Sequence, residues 1–134
     1  VNPLEAAIFD LLSADGTLTG LAPGGVWRGV APEGAQGIVV VFSHAGGPDF
    51  YTHTQRAFSD VQYLIKAIGP GLSAIDTGAA YERVDALIND AALPLSSGRV
   101  MACRRASTIS MDETEGGEVW HHVGGIYSIF VQGA

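Results

Sequence analysis

The stretch Ile38-Val39-Val40-Val41-Phe42 decides the fold. Five consecutive apolar residues, four of them β-branched, cannot share one face of a half-exposed strand, because successive side chains point to opposite sides. The segment therefore reads as a strand buried on both faces in the middle of a sheet. Just upstream, Val26 to Val30 is a short strand candidate. Ala31-Pro32-Glu33-Gly34 supplies a turn after it, with proline fixing φ and glycine accepting a positive one. So short a connection predicts an antiparallel hairpin between this strand and the next, Gly37 to His44.

On the N-terminal side, Pro3 to Ala14 reads as a helix. Asn2 is its expected cap, Pro3 suits the first turn, and Leu4, Ile8, Leu11 and Leu12 recur at helical spacing. Asp15-Gly16 ends it, and Thr17 to Leu21 forms one further turn before Ala22-Pro23-Gly24-Gly25 breaks the pattern. On the C-terminal side, Ala45 to Thr54 reads as a loop, with Gly46-Gly47-Pro48-Asp49 as its turn signal. In the following strand Val61, Tyr63, Ile65 and Ala67 alternate with Gln62, Leu64 and Lys66, which predicts one better-buried face. Gly69-Pro70-Gly71 closes that strand.

A second helix is expected from Asp76 to Ala92, with Ile75, Ala79, Val84, Leu87, Ile88 and Ala91 as its apolar stripe and Pro94 marking its end. Two more strands follow, Arg99 to Ile109 and Val119 to Val131, joined by an acidic, solvated hairpin loop from Asp112 to Glu118. Gly124-Gly125 marks a bulge or a close backbone approach. Together these elements predict an α+β fold: one mostly antiparallel sheet of about five strands packed against two main helices, in one domain spanning residues 1–134.

Composition narrows the function. A chain of 134 residues buries roughly two-thirds of its unfolded surface, enough for a core without metals or disulfides. One cysteine allows no internal bridge, the first residues lack a basic leader pattern, and no apolar run approaches the roughly 18 residues of a membrane span. The expectation is a soluble, cytosol-made protein that meets no membrane. Fourteen acidic residues against seven basic ones give a net charge of −7, which argues against binding nucleic acid by phosphate neutralisation. Hydrophobic residues make up 47 % and charged ones 16 %, so part of the exterior is expected to be covered by other subunits.

No catalytic, metal or cofactor site emerges. There is no Gly-x-Ser-x-Gly elbow, and Ser43 and His44 point to opposite faces of a strand. His44, His53, His121 and His122 lack ligand spacing, and the adjacent pair His121-His122 faces apart, one ring packed and the other exposed. Gly69-Pro70-Gly71-Leu72-Ser73 precedes a helix but lacks the Lys-Ser/Thr of a phosphate loop. Cys103 reads as a small buried hydrophobe. Three groups remain as candidate contact residues: Phe50, Tyr51 and His53 in the aromatic loop, the basic pair Arg104-Arg105, and Asp112, Glu113 and Glu115 in the acidic loop. For Phe50 and Tyr51 two readings stand side by side, contact with a neighbour or folding back onto the chain's own core.

The order of these elements carries a resemblance. The helix with Leu11-Leu12-Ser13-Ala14-Asp15, then Leu18 and Leu21, Val26 to Gly29, Ala31-Pro32-x-Gly34, Val40-Val41-Phe42, Asp60 to Ala67, the helix ending near Ile88 and the closing Ile126-Tyr127-Ser128-Ile129-Phe130-Val131 resemble the tail terminator or tail completion proteins of long-tailed bacteriophages. Phage-like gene-transfer particles would use the same component. The resemblance implies a non-enzymatic virion protein, made in the host cytoplasm and placed at the head-proximal end of the tail. It implies a homohexameric ring that stops tube growth, with the tail tube protein and a neck or head-completion protein as partners. DNA would pass without sequence-specific binding, and six copies at −7 give a conduit of roughly −42, which repels phosphates. The histidine pair and the long aromatic loop depart from the pattern. The alternatives are a head-side neck adaptor, and beyond it a small-molecule-binding domain, an enzyme or a simple host-protein binder.

Overall fold

A computed structural model describes residues 2–52 and 55–133. The first helix, α1, spans Asn2–Ser13, so Asn2 lies inside it and not ahead of it as a cap. Its buried face is Leu4, Ala7, Ile8 and Leu12. The further turn is a second helix, α2 (Gly16–Leu21), and Asp15 is its cap: the Asp15 carboxylate accepts the Leu18 N–H at 2.8 Å. The same carboxylate takes two N–H bonds from Arg83, at 2.7 and 2.9 Å. Those bonds, then the Leu18 N–H, hold the Asp15 carboxyl down to about 2.

One mixed sheet of six strands forms the body: β1 (Val26–Arg28), β2 (Val39–Gly46), β3 (Asp49–Tyr51), β4 (Arg56–Pro70), β5 (Arg99–Glu115) and β6 (Glu118–Gln132), in the order β1-β2-β4-β6-β5 with β3 also on β4. With three helices, two of them long, this is the α+β class expected from the sequence. The expected antiparallel hairpin of β1 and β2 is overturned. They pair in parallel, Val26 opposite Val40 and Arg28 opposite Phe42. A three-residue strand spans only about 10 Å, so the connection from Gly29 to Ile38 easily runs back to the starting end. The Gly24 N–H to Ile38 carbonyl bond and the Val40 N–H to Gly25 carbonyl bond, both 2.9 Å, fix that direction. All other pairings are antiparallel.

Ile38 to Phe42 lies mid-sheet and is buried throughout, as its composition demands. Val40 and Phe42 join the core under the helices, with Tyr63, Ile65 and Ala67 from β4 and Tyr127 and Ile129 from β6. The helix α3 (Ala74–Ile88) is shorter than expected at its C-terminal end, and the chain leaves it through Asp90 at φ 65°. Its buried stripe is Thr77, Ala80, Tyr81, Val84 and Ile88; Ile75, assigned to the stripe from sequence, is exposed. Thr77 stands where α3 meets the Gly69 backbone, at which a Cβ would overlap Thr77 Oγ1, and the Tyr81 hydroxyl lies against Gly125 of β6.

Two expected loops are strands. The aromatic loop contains β3, which follows β2 after Gly46, the last residue of that strand, and Gly47, at φ 111° and 124°. The acidic connection is ordered into β5 and β6, and Gly116-Gly117, both at positive φ, make the entire reversal. Gly124-Gly125 marks a close approach and pairs regularly with Ile109 and Thr108; the bulges lie elsewhere in β5, between Val100 and Ala102 and between Arg105 and Ser107.

Candidate assembly surface

The candidate contact residues fall into three patches along the sheet. At one end, β3 carries Phe50 and Tyr51. Phe50 stacks on Phe58 with centroids 4.7 Å apart, and Phe58 meets Phe130 edge-on at 6.1 Å. Tyr51 is 69 % exposed and lies opposite Arg56 in the β3–β4 ladder. His53 lies outside the described residues. Arg56, which the sequence reading passed over, forms no ion pair within 4 Å among the described residues.

The opposite end is the tip of the β5–β6 hairpin, where Pro70 of β4 faces Trp120 of β6. Fifteen residues of β4 separate the two ends by about 45 Å. Asp112, Glu113 and Glu115 all lie in β5. Asp112 sits directly across from His121, and its carboxylate is 2.6 Å from His121 Nδ1. His121 Nε2 lies 2.7 Å from the Gly71 carbonyl oxygen. A carboxylate and a carbonyl only accept, so the clamp favours the form in which both ring nitrogens carry protons. The neighbour His122 faces the other way and is buried, with Glu113 Oε1 3.4 Å from its Nε2. Neither His122 nitrogen has a hydrogen-bond partner among the described residues. The two rings do face apart, but neither is the freely exposed one expected from sequence, since His121 is clamped between β5 and the turn after β4.

The Asp112 hydrogen bond, then the Gly71 carbonyl, raise the His121 pKa above its ordinary 6.5. A group raised on folding contributes stability that is full below pH 6.5 and is lost as pH rises through the folded value. Ring-proton NMR is expected to give a His121 midpoint above 6.5, falling toward 6.5 in Asp112→Asn. A midpoint at 6.5 in the wild type would show that the clamp does not form in solution.

The basic pair lies between the ends. Arg104 is exposed and 3.3 Å from Asp90. Arg105 instead enters the protein's own network: its guanidinium is 3.3 Å from Asp85 and 3.5 Å from the Tyr81 hydroxyl, and its N–H donates to Asn89 Oδ1 at 2.9 Å. The structure thus leaves Arg104 available and uses Arg105 to hold β5 to the end of α3. Cys103, on the strand beside them, is buried, and burial pushes its thiol up to about 12, so it is chemically inert. No cluster of three or more metal-type side chains occurs among the described residues, and no helix among them is long and apolar enough to cross a membrane.

Sequence reasoning also missed the apolar residues beside the tip. Leu72 is fully exposed and Ile75 is 88 % exposed. Their signal was present in Ile75, which stands out of step with the buried series Thr77, Tyr81, Val84 and Ile88.

Neither a protein-family model nor a curated protein matches the chain. Among solved structures, a chain of the virion of a native gene transfer agent particle superimposes with a TM-score of 0.79, at 23 % identity, over 98 % of this chain and 96 % of that one. The two share a fold. A second solved protein aligns with a TM-score of 0.61 at 13 % identity, over 96 % of this chain and 94 % of its own. Coverage is almost complete in both directions, so the likeness is one of whole chains and not of a common submotif.

Proposed function

We propose that this chain is a structural virion protein that forms a homohexameric ring on the head-proximal end of a phage-like tail, stops tube growth and joins the tail to the neck. The observation that carries this reading is the full-length likeness to a gene transfer agent virion chain, at a TM-score of 0.79. It agrees with the order of sequence elements that resembles tail terminators. The exposed patches at both ends of the sheet fit a protomer that is covered on several sides.

The action is steric. Head-to-tail contacts close a ring, one face of which matches the last ring of tube protein while the other accepts no further tube subunit and presents a docking surface to the neck protein. Phe50, Tyr51, Arg104, Asp112, Glu113 and Glu115 are the proposed contact residues, and the net negative charge lets DNA pass without being held. No catalytic step is assigned to it.

The test is to polymerise tail tube protein with and without this chain and to image the ends. Tubes that stop growing and carry a ring of six 13.9 kDa protomers at one end are the expected result. Tubes that elongate unchanged and bare overturn the reading, and rings found only on isolated portal assemblies move the protein to the head side of the neck.

A further inference from the structure

We infer that the hairpin tip of one protomer docks on the aromatic end of a second copy, in a polar, head-to-tail contact. This rests on the ring reading above and names the surfaces that would close it. At the tip, Glu115 and Glu118 stand directly opposite each other in the last pair before Gly116-Gly117. Like charges so placed repel, and no ion pair within the described residues neutralises either of them. The tip is also apolar on its flank. The Gly71 N–H donates to the Val119 carbonyl at 2.7 Å and the Gly71 carbonyl accepts from His121, so the turn carrying exposed Leu72, just ahead of exposed Ile75 in the first turn of α3, is fixed against the hairpin. Acid and apolar surface are thus held together on a rigid support.

The complement is on the same chain, about 45 Å away along β4. There Phe50 and Tyr51 offer aromatic surface, and Arg56, across the ladder from Tyr51, is a cation without an ionic partner among the described residues. Exposed arginine and tyrosine beside each other are the composition of an interface centre. Two tips cannot pair with each other, because that would bring four carboxylates together. Tip to aromatic end sets Arg56 against the paired glutamates, with Asp49 held on its own chain by the Ser59 hydroxyl, and covers both apolar patches. Such a contact is heterologous, and repetition of it either closes a ring or propagates a filament.

Two blocked variants test the polarity. Leu72→Asp with Ile75→Asp spoils the tip, and Tyr51→Asp with Arg56→Glu spoils the aromatic end; all four side chains are exposed, and circular-dichroism melts check that both proteins stay folded. In sedimentation velocity the wild type is expected to self-associate, less so in high salt, and each variant alone at least tenfold more weakly. Mixed, the two variants form a 1:1 dimer and nothing larger, since together they hold one intact tip and one intact aromatic end. A wild type monomeric up to about 1 mM overturns the inference, as does a mixture without the dimer or a variant that dimerises by itself. The same proteins added to tail tubes separate the two ideas. Wild type that caps tubes while the mixture gives no dimer removes this polarity and leaves the capping role. A 1:1 dimer from the mixture, with a wild type that ignores tubes, does the reverse.

Discussion

Replacing Gly124 by alanine is expected to lower stability by about 3 kcal/mol and the melting temperature by about 10 °C. Gly124 lies in β6 directly opposite Lys66 of β4, in the longest central pairing of the sheet. A Cβ there would overlap Lys66 Cβ and come within 2.6 Å of the Ile65 carbonyl oxygen. Those atoms belong to backbone or its first carbon, so relief requires the two strands to separate and not merely a rotamer to change. Gly125 is equally confined on the helix side, with Tyr81 and the Ser107 carbonyl against it. The internal control is Gly78→Ala in α3, where no atom lies within 4 Å of the added methyl. That change is expected to stabilise by up to about 1 kcal/mol, because alanine fixes the helical backbone at lower entropic cost. Urea denaturation of both variants gives opposite signs for the same chemical substitution. Equal small effects would mean that β4 and β6 are less tightly apposed than described.

The central strands were legible because their environment is written locally. Ile38 to Phe42 has no polar residue to spare for solvent, and the alternation from Val61 to Ala67 matches the burial of Tyr63, Ile65 and Ala67. The direction of β1 was not legible, since it depends on hydrogen bonds from Gly24 and Gly25 to residues fourteen or more positions away. Loop length alone permitted either direction. The acidic segment was read as a loop because aspartate and glutamate disfavour strands in isolation. Pairing overrides this: Asp112 finds His121, Glu113 finds Trp120, and the two glycines alone reverse the chain. Likewise β3 was hidden behind Gly46-Gly47-Pro48, which breaks the strand without ending the sheet. Of the candidate contacts, charge and aromaticity picked out residues at both ends of the sheet. What they lacked was the distinction between Arg104 and Arg105, neighbours in sequence whose roles are set by α3 and the turn after it, from Tyr81 to Asp90.

That distinction yields the second large effect. Four groups beneath β5 form a closed circuit in which every hydrogen bond has a forced direction. Arg105 has only donors and Asp85, as a carboxylate, only acceptors. Tyr127 donates to Asp85 at 2.7 Å, so the 2.8 Å contact between the two tyrosines is Tyr81 donating to Tyr127, and Arg105 donates to Tyr81 at 3.5 Å. The circuit closes through the 3.3 Å ion pair of Arg105 and Asp85. Burial first, then these bonds, push the Tyr127 hydroxyl far above its ordinary range, which favours its protonated, donating form. Tyr127→Phe leaves the Tyr81 proton without an acceptor and strips Asp85 of its buried donor; the expected loss is about 2 kcal/mol. Tyr81→Phe leaves the bond from Tyr127 to Asp85 intact and is expected to cost about half as much. The reverse ranking in denaturant titrations would contradict the assigned directions. The same circuit determines how assembly mutants are read. Arg105→Glu sets a carboxylate against Asp85 and lowers the melting temperature, so a failure of that variant to assemble follows from the fold. Arg104→Glu breaks only an exposed pair with Asp90 and leaves the melting temperature unchanged, so any loss of assembly in it reports a lost contact with a neighbour.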